Sequence, residues 1–77
     1  MKIKKGNPGW YHFNEIIEGV EHSFRISKCD GKFSAEKDGV VIARLARYDV
    51  WEQEYGQPLN PQLFEMLVHK IDEYLNI

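Results

Sequence analysis

The sequence has little of what stabilises or localises a protein by special means. Cys29 is the only cysteine among 77 residues, so no disulfide can form within the chain. A lone cysteine without nearby Cys or His ligands is typical of a reducing compartment. No stretch approaches the run of about 20 apolar residues that crosses a bilayer. The start, MKIKKGNPGW, has no apolar run behind its lysines, so we expect no signal peptide and a cytoplasmic protein.

An excess of either charge is also missing. Ten Lys and Arg residues stand against twelve Asp and Glu residues, giving a net charge of -2. Proteins dedicated to nucleic acids usually carry a clear basic excess, so this balance argues against that class. The hydrophobic content of 43% is that of a folded protein. We expect one small domain over residues 1–77, whose modest core depends on good packing or on a second subunit.

Strand patterns and turn signals predict an α+β fold. Asp-Gly pairs at residues 30–31 and 38–39, and Gly19 before them, separate alternating segments. Such pairs favour two-residue hairpin turns because the turn requires positive φ angles. We therefore predict an antiparallel β-meander of three to four strands. The residues that this pattern assigns to the core are Tyr11, Phe13, Ile17, Val20, His22, Phe24, Ile26, Phe33 and Ala35.

The carboxyl end predicts an amphipathic α-helix that covers one face of the sheet. Asn60 is a good N-cap, and Pro61 suits the first helical position, where its missing N–H has no partner to lose. Leu59 and Phe64 have the spacing of a hydrophobic staple. We expect the helix to run from Pro61 to about Asn76. Its predicted apolar stripe is Leu63, Phe64, Leu67, Val68, Ile71 and Leu75, with Tyr74 at the edge and Met66 on the polar side.

The segment RYDVWEQEYGQPLNP, residues 47–61, connects the sheet to this helix. Asp49 followed by Glu52 resembles a capping box, and Gly56 stands where a glycine often ends a helix. We therefore predict a short helical turn over residues 50–55. The alternative is that the preceding strand simply continues to Trp51.

The same segment carries our main functional hypothesis, a small non-catalytic protein–protein interaction module that acts as a regulator or inhibitor. Tyrosine and tryptophan often anchor interfaces, and carboxylates around them would suit a basic partner. We expect Trp51 to pack inward and at least one of Tyr48 and Tyr55 to be exposed. The predicted partner-binding residues are Tyr48, Glu52, Glu54 and Tyr55.

Self-association is a further expectation. A regular sheet edge without charges can pair with another strand. The segment VVIARL, residues 40–45, begins with apolar residues on both sides, so we predict that it forms such an edge. The partner is then another protein or a second copy of the chain.

The alternative hypothesis is a nucleic-acid-binding module. Aromatic side chains interleaved with cations can stack bases and pair with phosphates. The lysines would form a basic arm, and the arginines would line the open face of the sheet. The acidic residues in the same chain weigh against this reading. The residues it would use are Lys2, Lys4, Lys5, Arg25, Arg44 and Arg47.

Enzymatic and metal-binding functions have weaker signals. Asp49, Glu52 and Glu54 are close in sequence, but capping and solvation explain them without catalysis. Zinc sites usually present ligands in tight local pairs, and this sequence has none. We expect no enzyme, cofactor or metal site. The potential ligands considered are His12, His22, His69 and Cys29.

Overall fold

A computed structural model describes residues 9–76 of the chain. They form an antiparallel sheet of five strands in the order β1-β2-β3-β4-β5, followed by one helix. The elements are β1 (Trp10–Ile17), β2 (Val20–Cys29), β3 (Lys32–Lys37), β4 (Val40–Arg47), β5 (Trp51–Tyr55) and α1 (Pro61–Leu75). The predicted α+β meander is confirmed, with one more strand than expected. Within the described residues, no helix is long and apolar enough to cross a membrane.

Three tight hairpin turns define the first four strands. Each turn has two residues with positive φ, and the second of them is glycine. Glu18 and Gly19 have φ angles of 52° and 81°, and the two predicted Asp-Gly turns have similar values. Two consecutive residues at positive φ match the twist of the flanking strands, which is why Asp-Gly was an accurate turn signal.

The prediction of a helical turn over residues 50–55 is wrong. Strand β4 ends at Arg47, and Trp51–Tyr55 forms a fifth strand that pairs antiparallel with it. The alternative, one strand continuing to Trp51, is also wrong because residues 48–50 interrupt it. Asp49 lies in that loop and caps no helix. Pairing with the available edge of β4 satisfies backbone groups that one isolated helical turn would leave open.

The predicted edge strand is also placed differently. Residues 40–45 belong to β4, which lies between β3 and β5 in the sheet. The two edge strands are therefore β1 and β5. Strand β5 pairs only with Arg44–Arg47, and the chain after it passes close to the backbone of Ile42. Val40 and Val41 keep exposed side chains and lie in the part of β4 that has no partner in β5, although β4 as a whole lies between β3 and β5.

The core lies between the helix and one face of the sheet, and aromatic rings connect the two layers. Tyr74 of α1 stacks on Tyr11 of β1 at 5.8 Å between ring centroids. Its other neighbour is Phe33 of β3, whose ring meets it edge-on at 6.4 Å. The buried cluster comprises Phe13, Phe24, Ile26, Phe33, Ala35, Ala43, Leu45, Leu67, Ile71 and Tyr74.

The start of the helix matches the prediction. The side chain of Asn60 accepts a hydrogen bond of 2.8 Å from the N–H of Leu63, and Pro61 occupies the first helical turn. The apolar stripe is rotated slightly from the predicted one. Tyr74 lies at its centre with 1% exposure, whereas Leu75 is 38% exposed. Met66, predicted on the polar side, packs against the core.

Candidate interaction surface

The predicted partner-binding residues lie together at the β5 edge of the sheet. We call Tyr48, Glu52, Glu54 and Tyr55 the β5 surface. Tyr48 comes from the loop before β5, and the other three belong to the strand. All four residues are exposed as a whole, although the Glu54 side chain itself is only 27% exposed. Leu45 of β4 belongs to the buried core, so its neighbours Arg44 and Ala46 point to the sheet face away from α1. Glu52 is paired with Ala46 and Tyr55 with Arg44, and the side chains of paired residues lie on the same face.

A β-bulge determines which side chains reach this surface. The pairing of β4 with β5 shifts between Arg44 and Leu45, so that Glu54 is the extra residue. A bulge places two residues opposite one and redirects the side chains beside it. Here it lets Glu54 and Tyr55, which are neighbours in sequence, both make contacts on the outer face.

Glu54 connects a lysine and a tyrosine on the outer face. Its carboxylate forms an ion pair of 2.8 Å with the Lys32 ammonium of β3. It also accepts a short hydrogen bond from the Tyr48 hydroxyl. The ion pair and the hydrogen bond together restrict the Glu54 side chain, and the hydrogen bond also restricts the Tyr48 side chain. The tyrosine remains 54% exposed.

These contacts shift the protonation equilibria of all three groups. The hydrogen bond from Lys32, followed by that from Tyr48, lowers the pKa of Glu54 below its ordinary value. The hydrogen bond to Glu54 raises the pKa of Lys32. The same carboxylate raises the pKa of the Tyr48 hydroxyl, because its hydrogen bond favours the protonated phenol. Glu54 and Lys32 are therefore ionised, and the Tyr48 phenol is neutral, over a wide pH range.

Tyr55 is positioned by a different charged neighbour. The guanidinium of Arg44, on the adjacent strand β4, lies 5.6 Å from the centroid of the Tyr55 ring. This is within the range of a cation–π contact. The ring is still 53% exposed. Each tyrosine of the β5 surface is thus oriented by a neighbouring charge without being buried.

The inner side of the same strand holds the fold together. The Trp51 ring lies 5.7 Å from the ring of Phe33 and packs against the core. The Gln53 side chain donates hydrogen bonds to the carbonyls of Tyr55 and Gln57, and accepts one from the N–H of Leu59. Alternation along β5 therefore separates packing residues from surface residues.

Sequence reasoning missed Lys32, Arg44 as a partner of Tyr55, and Gln53. Their roles depend on cross-strand register and on the path of the connector. A symmetric hairpin closed by Asp38-Gly39 would not place Lys32 opposite Ala46; that pairing results from a register shift between Ala35 and Glu36. Such irregularities have no clear signal in this sequence.

Of the basic residues of the nucleic-acid hypothesis that the structure describes, Arg25 and Arg44 lie on the outer face of the sheet and Arg47 does not. Arg25 makes an ion pair of 2.8 Å with Glu36 on the outer face. Arg44 lies over Tyr55. The prediction that Arg47 lines the same face is wrong: it lies opposite Trp51, on the helix side of the sheet. Lys2, Lys4 and Lys5 lie outside the described residues.

The histidines and the cysteine are also separated. His12 is hydrogen-bonded to Ser23 at 2.9 Å, His22 to Asp38 at 2.6 Å, and His69 lies 3.7 Å from Glu73. Cys29 is exposed at the end of β2. Across residues 9–76, no group of three or more His, Cys, Asp or Glu side chains could hold a metal ion.

Asp38 has a structural role at its turn. Its carboxylate accepts a hydrogen bond of 3.0 Å from the backbone N–H of Ser23, and the other oxygen contacts His22. The backbone N–H of Ser23, followed by the His22 side chain, lowers the pKa of Asp38. These contacts tie the β3–β4 turn to β2.

Comparisons with protein-family models, with curated proteins and with solved structures find no match for this chain. The geometry of its surfaces is therefore the basis for a functional proposal.

Proposed function

We propose that this protein is a small non-catalytic interaction module, a regulator or inhibitor, that binds another protein through the β5 surface. The observation that carries this proposal is the pair of half-exposed tyrosines, each oriented by a charged neighbour. Glu54 and Lys32 hold Tyr48, and Arg44 holds Tyr55. The same proposal places the protein in the cytoplasm, where the exposed thiol of Cys29 stays reduced.

Pre-orientation matters because binding costs conformational entropy. Immobilising one flexible side chain at an interface costs about 0.5–1.5 kcal/mol. A tyrosine held by neighbours before binding has already lost part of this freedom, and its ring offers a large contact area. The two rings of the β5 surface therefore supply anchors at reduced cost.

The charge of the surface selects the partner class. Two cations stand beside the two carboxylates of the β5 surface: Lys32 pairs with Glu54, and Arg44 lies over Tyr55. Glu52 is opposite Ala46 in the strand pair, not opposite a cation, so its carboxylate is the group that would attract a basic partner. A partner that presents Lys or Arg beside an apolar patch would contact both the rings and this carboxylate.

The test is capture of partners from an extract of the native host by the immobilised full chain, with quantitative mass spectrometry. We expect at least one protein to be enriched by the wild type and to be lost with the Tyr48→Ala/Tyr55→Ala variant. Val20→Ala is the control, since Val20 is 55% exposed and belongs to β2, which is not an edge strand. This control should retain the partner.

Two results would contradict the proposal. One is a partner that binds the wild type and the double tyrosine variant equally. The other is capture of RNA or DNA that weakens steeply with salt and depends on Arg25 and Arg44, which would favour the nucleic-acid alternative.

A further inference from the structure

Strand β1 is an edge of the sheet without the usual protection. Its pairing with β2 runs through eight consecutive residues, from Trp10 to Ile17, with no register shift. Natural edge strands usually carry a lysine, a proline or a bulge that prevents pairing with another chain. Strand β1, WYHFNEII, contains none of these, and its one charged side chain, Glu15, is paired with Lys70 of α1 at 3.7 Å. The other edge, β5, is shorter and has a bulge.

The tight turn after β1 fixes which backbone groups face outward. Glu18 and Gly19 form a two-residue turn, so the flanking pair of Ile17 and Val20 exchanges backbone hydrogen bonds. Hydrogen-bonded and non-hydrogen-bonded pairs then alternate along the strand. Odd-numbered residues of β1 therefore bond to β2. The even-numbered residues direct their N–H and C=O groups to the outer edge, and they are Trp10, His12, Asn14 and Ile16.

These four residues are complementary to a second copy of themselves. If two β1 strands pair antiparallel about a two-fold axis at Phe13, Trp10 lies opposite Ile16 of the other copy. His12 then lies opposite Asn14. Trp10 and Ile16 are among the large apolar side chains that the structure exposes, at 52% and 70%. Aromatic and β-branched residues form favourable cross-strand pairs.

The opposite face of the same pairing is also compatible. Tyr11 of one copy lies opposite Glu15 of the other, and within each copy the Tyr11 hydroxyl donates to Glu73 and Glu15 pairs with Lys70. Glu15 is the only carboxylate of β1, and this register keeps the two Glu15 side chains apart. No like charges stand directly opposite each other.

Other two-fold registers match the strand less well. An axis at His12 places Trp10 opposite Asn14 and leaves Ile16 beyond the pairing. An axis at Asn14 places Ile16 opposite His12 and leaves Trp10 unmatched. Only the axis at Phe13 pairs both exposed apolar residues and aligns four outward residues from each copy. Each of the four resulting pairs exchanges two bonds, which gives about eight backbone hydrogen bonds.

We propose that β1 is a self-association surface, through which two copies join edge to edge into a continuous ten-stranded antiparallel sheet with the two-fold axis at Phe13. The β5 surface stays accessible in this dimer. It lies about 19 Å from β1 across four strand spacings, on the outer edge of each copy. The inference is therefore independent of the function proposed for β5.

The first test is sedimentation equilibrium of the full chain over a range of concentrations. We expect the wild type to pass from 9.1 kDa toward twice that mass as concentration rises. Ile16→Lys should raise the dissociation constant of the dimer at least about tenfold. The two-fold axis places the lysine opposite Trp10 at both ends of the paired strands. Val20→Lys is the matched control: it replaces a 55% exposed aliphatic side chain of the paired strand β2, and it should dimerise as the wild type does.

A second experiment tests the register. Trp10→Glu and Ile16→Lys are each expected to be monomeric at concentrations where the wild type dimerises. Mixed in equal amounts, they should form a heterodimer in which one glutamate faces one lysine and the original Trp10–Ile16 pair is kept at the other end. Circular dichroism of each variant establishes that the sheet is folded.

Three outcomes would overturn the proposal. A wild type that is monomeric at every concentration would show that β1 does not self-associate. A dimer unaffected by Ile16→Lys would place the interface elsewhere. Monomeric variants whose mixture fails to form the heterodimer would exclude the proposed register.

Discussion

At the scale of single residues, Gly56 determines how the chain leaves the sheet. The sequence pattern correctly marked this glycine as special but assigned it the wrong role, the end of a helix. Gly56 has a φ of 96°, and a Cβ built on it would lie 2.0 Å from the carbonyl oxygen of Ile42. The glycine is needed because the connector to α1 passes directly against the backbone of β4.

This contact predicts the effect of Gly56→Ala. The added methyl group must displace backbone atoms and also occupy an unfavourable φ, so we expect stability to fall by at least about 3 kcal/mol. Gly31→Ala is the control, since Gly31 has a φ of 77° but nothing within 4 Å of the added carbon. It should cost only about 1–2 kcal/mol. Urea unfolding measures both; equal losses would contradict the close approach.

The Lys32–Glu54–Tyr48 network predicts a pH dependence. The pKa of Glu54 is lowered from 4.5, so its contribution to stability is present above that pH and is lost as pH falls through the lowered value. The pKa of Tyr48 is raised from 10.0, so its contribution is present below that pH and is lost as pH rises through the raised value. The stability difference between wild type and Glu54→Gln should therefore be largest between these limits.

The ionisation of Tyr48 provides a direct measurement of this network. The difference in ultraviolet absorbance between the wild type and Tyr48→Phe isolates the titration of this one phenol. We expect its midpoint above 10.0 in the wild type and lower in the Glu54→Gln background, because the hydrogen bond to the carboxylate is lost. An unchanged midpoint would show that Glu54 does not hold Tyr48 in solution.

At the scale of elements, a comparison of β5 with the turns and the helix shows which features local sequence patterns predict and which they do not. Turns at Asp30-Gly31 and Asp38-Gly39, and the capped start of α1, follow from local chemistry and were predictable. Strand β5 was not, because Asp49 and Glu52 imitate a helix start and a strand of five residues has a weak pattern of its own. Its pairing with β4 is a long-range contact, and the bulge that exposes Glu54 depends on it.

The two faces of β5 predict different outcomes for its aromatic residues. Trp51→Ala removes a ring packed on Phe33 and should reduce stability by about 2–4 kcal/mol. Tyr55→Ala removes an exposed ring and a cation–π contact, so we expect a loss below about 1 kcal/mol. Thermal and urea unfolding compare the two variants. Similar small losses would contradict the assignment of Trp51 to the core.

The connector between β5 and α1 predicts a role for Gln53. Its side chain makes hydrogen bonds of 2.7 to 3.0 Å with the backbone of Tyr55, Gln57 and Leu59. Gln53→Ala should cost about 0.5–1.5 kcal/mol, the net contribution of a typical hydrogen bond, since two of the three bonds are exposed and water can replace them. Gln57→Ala is the matched control, because Gln57 takes part through its main-chain carbonyl. A comparable loss of stability in this control would show that the effect of Gln53→Ala does not come from the hydrogen bonds of its amide.

At the scale of the whole molecule, the sheet has two edges with different characters. Strand β1 is long, regular and self-complementary, whereas β5 is short, bulged and flanked by oriented tyrosines. The four residues predicted to bind a partner lie together at the β5 edge because aromatic and acidic residues cluster in that segment of the sequence. The strand predicted as an edge, residues 40–45, belongs to β4 between β3 and β5, since strand order in a meander becomes certain only when the last strand is recognised.

The central claim is that the β5 surface is where another protein binds. Amide hydrogen–deuterium exchange, measured on the chain alone and with a captured partner at concentrations below self-association, tests it most directly. We predict slower exchange over residues 48–55 in the complex, with exchange over residues 10–17 unchanged. Protection confined to other segments, while residues 48–55 exchange as in the free chain, would contradict the claim.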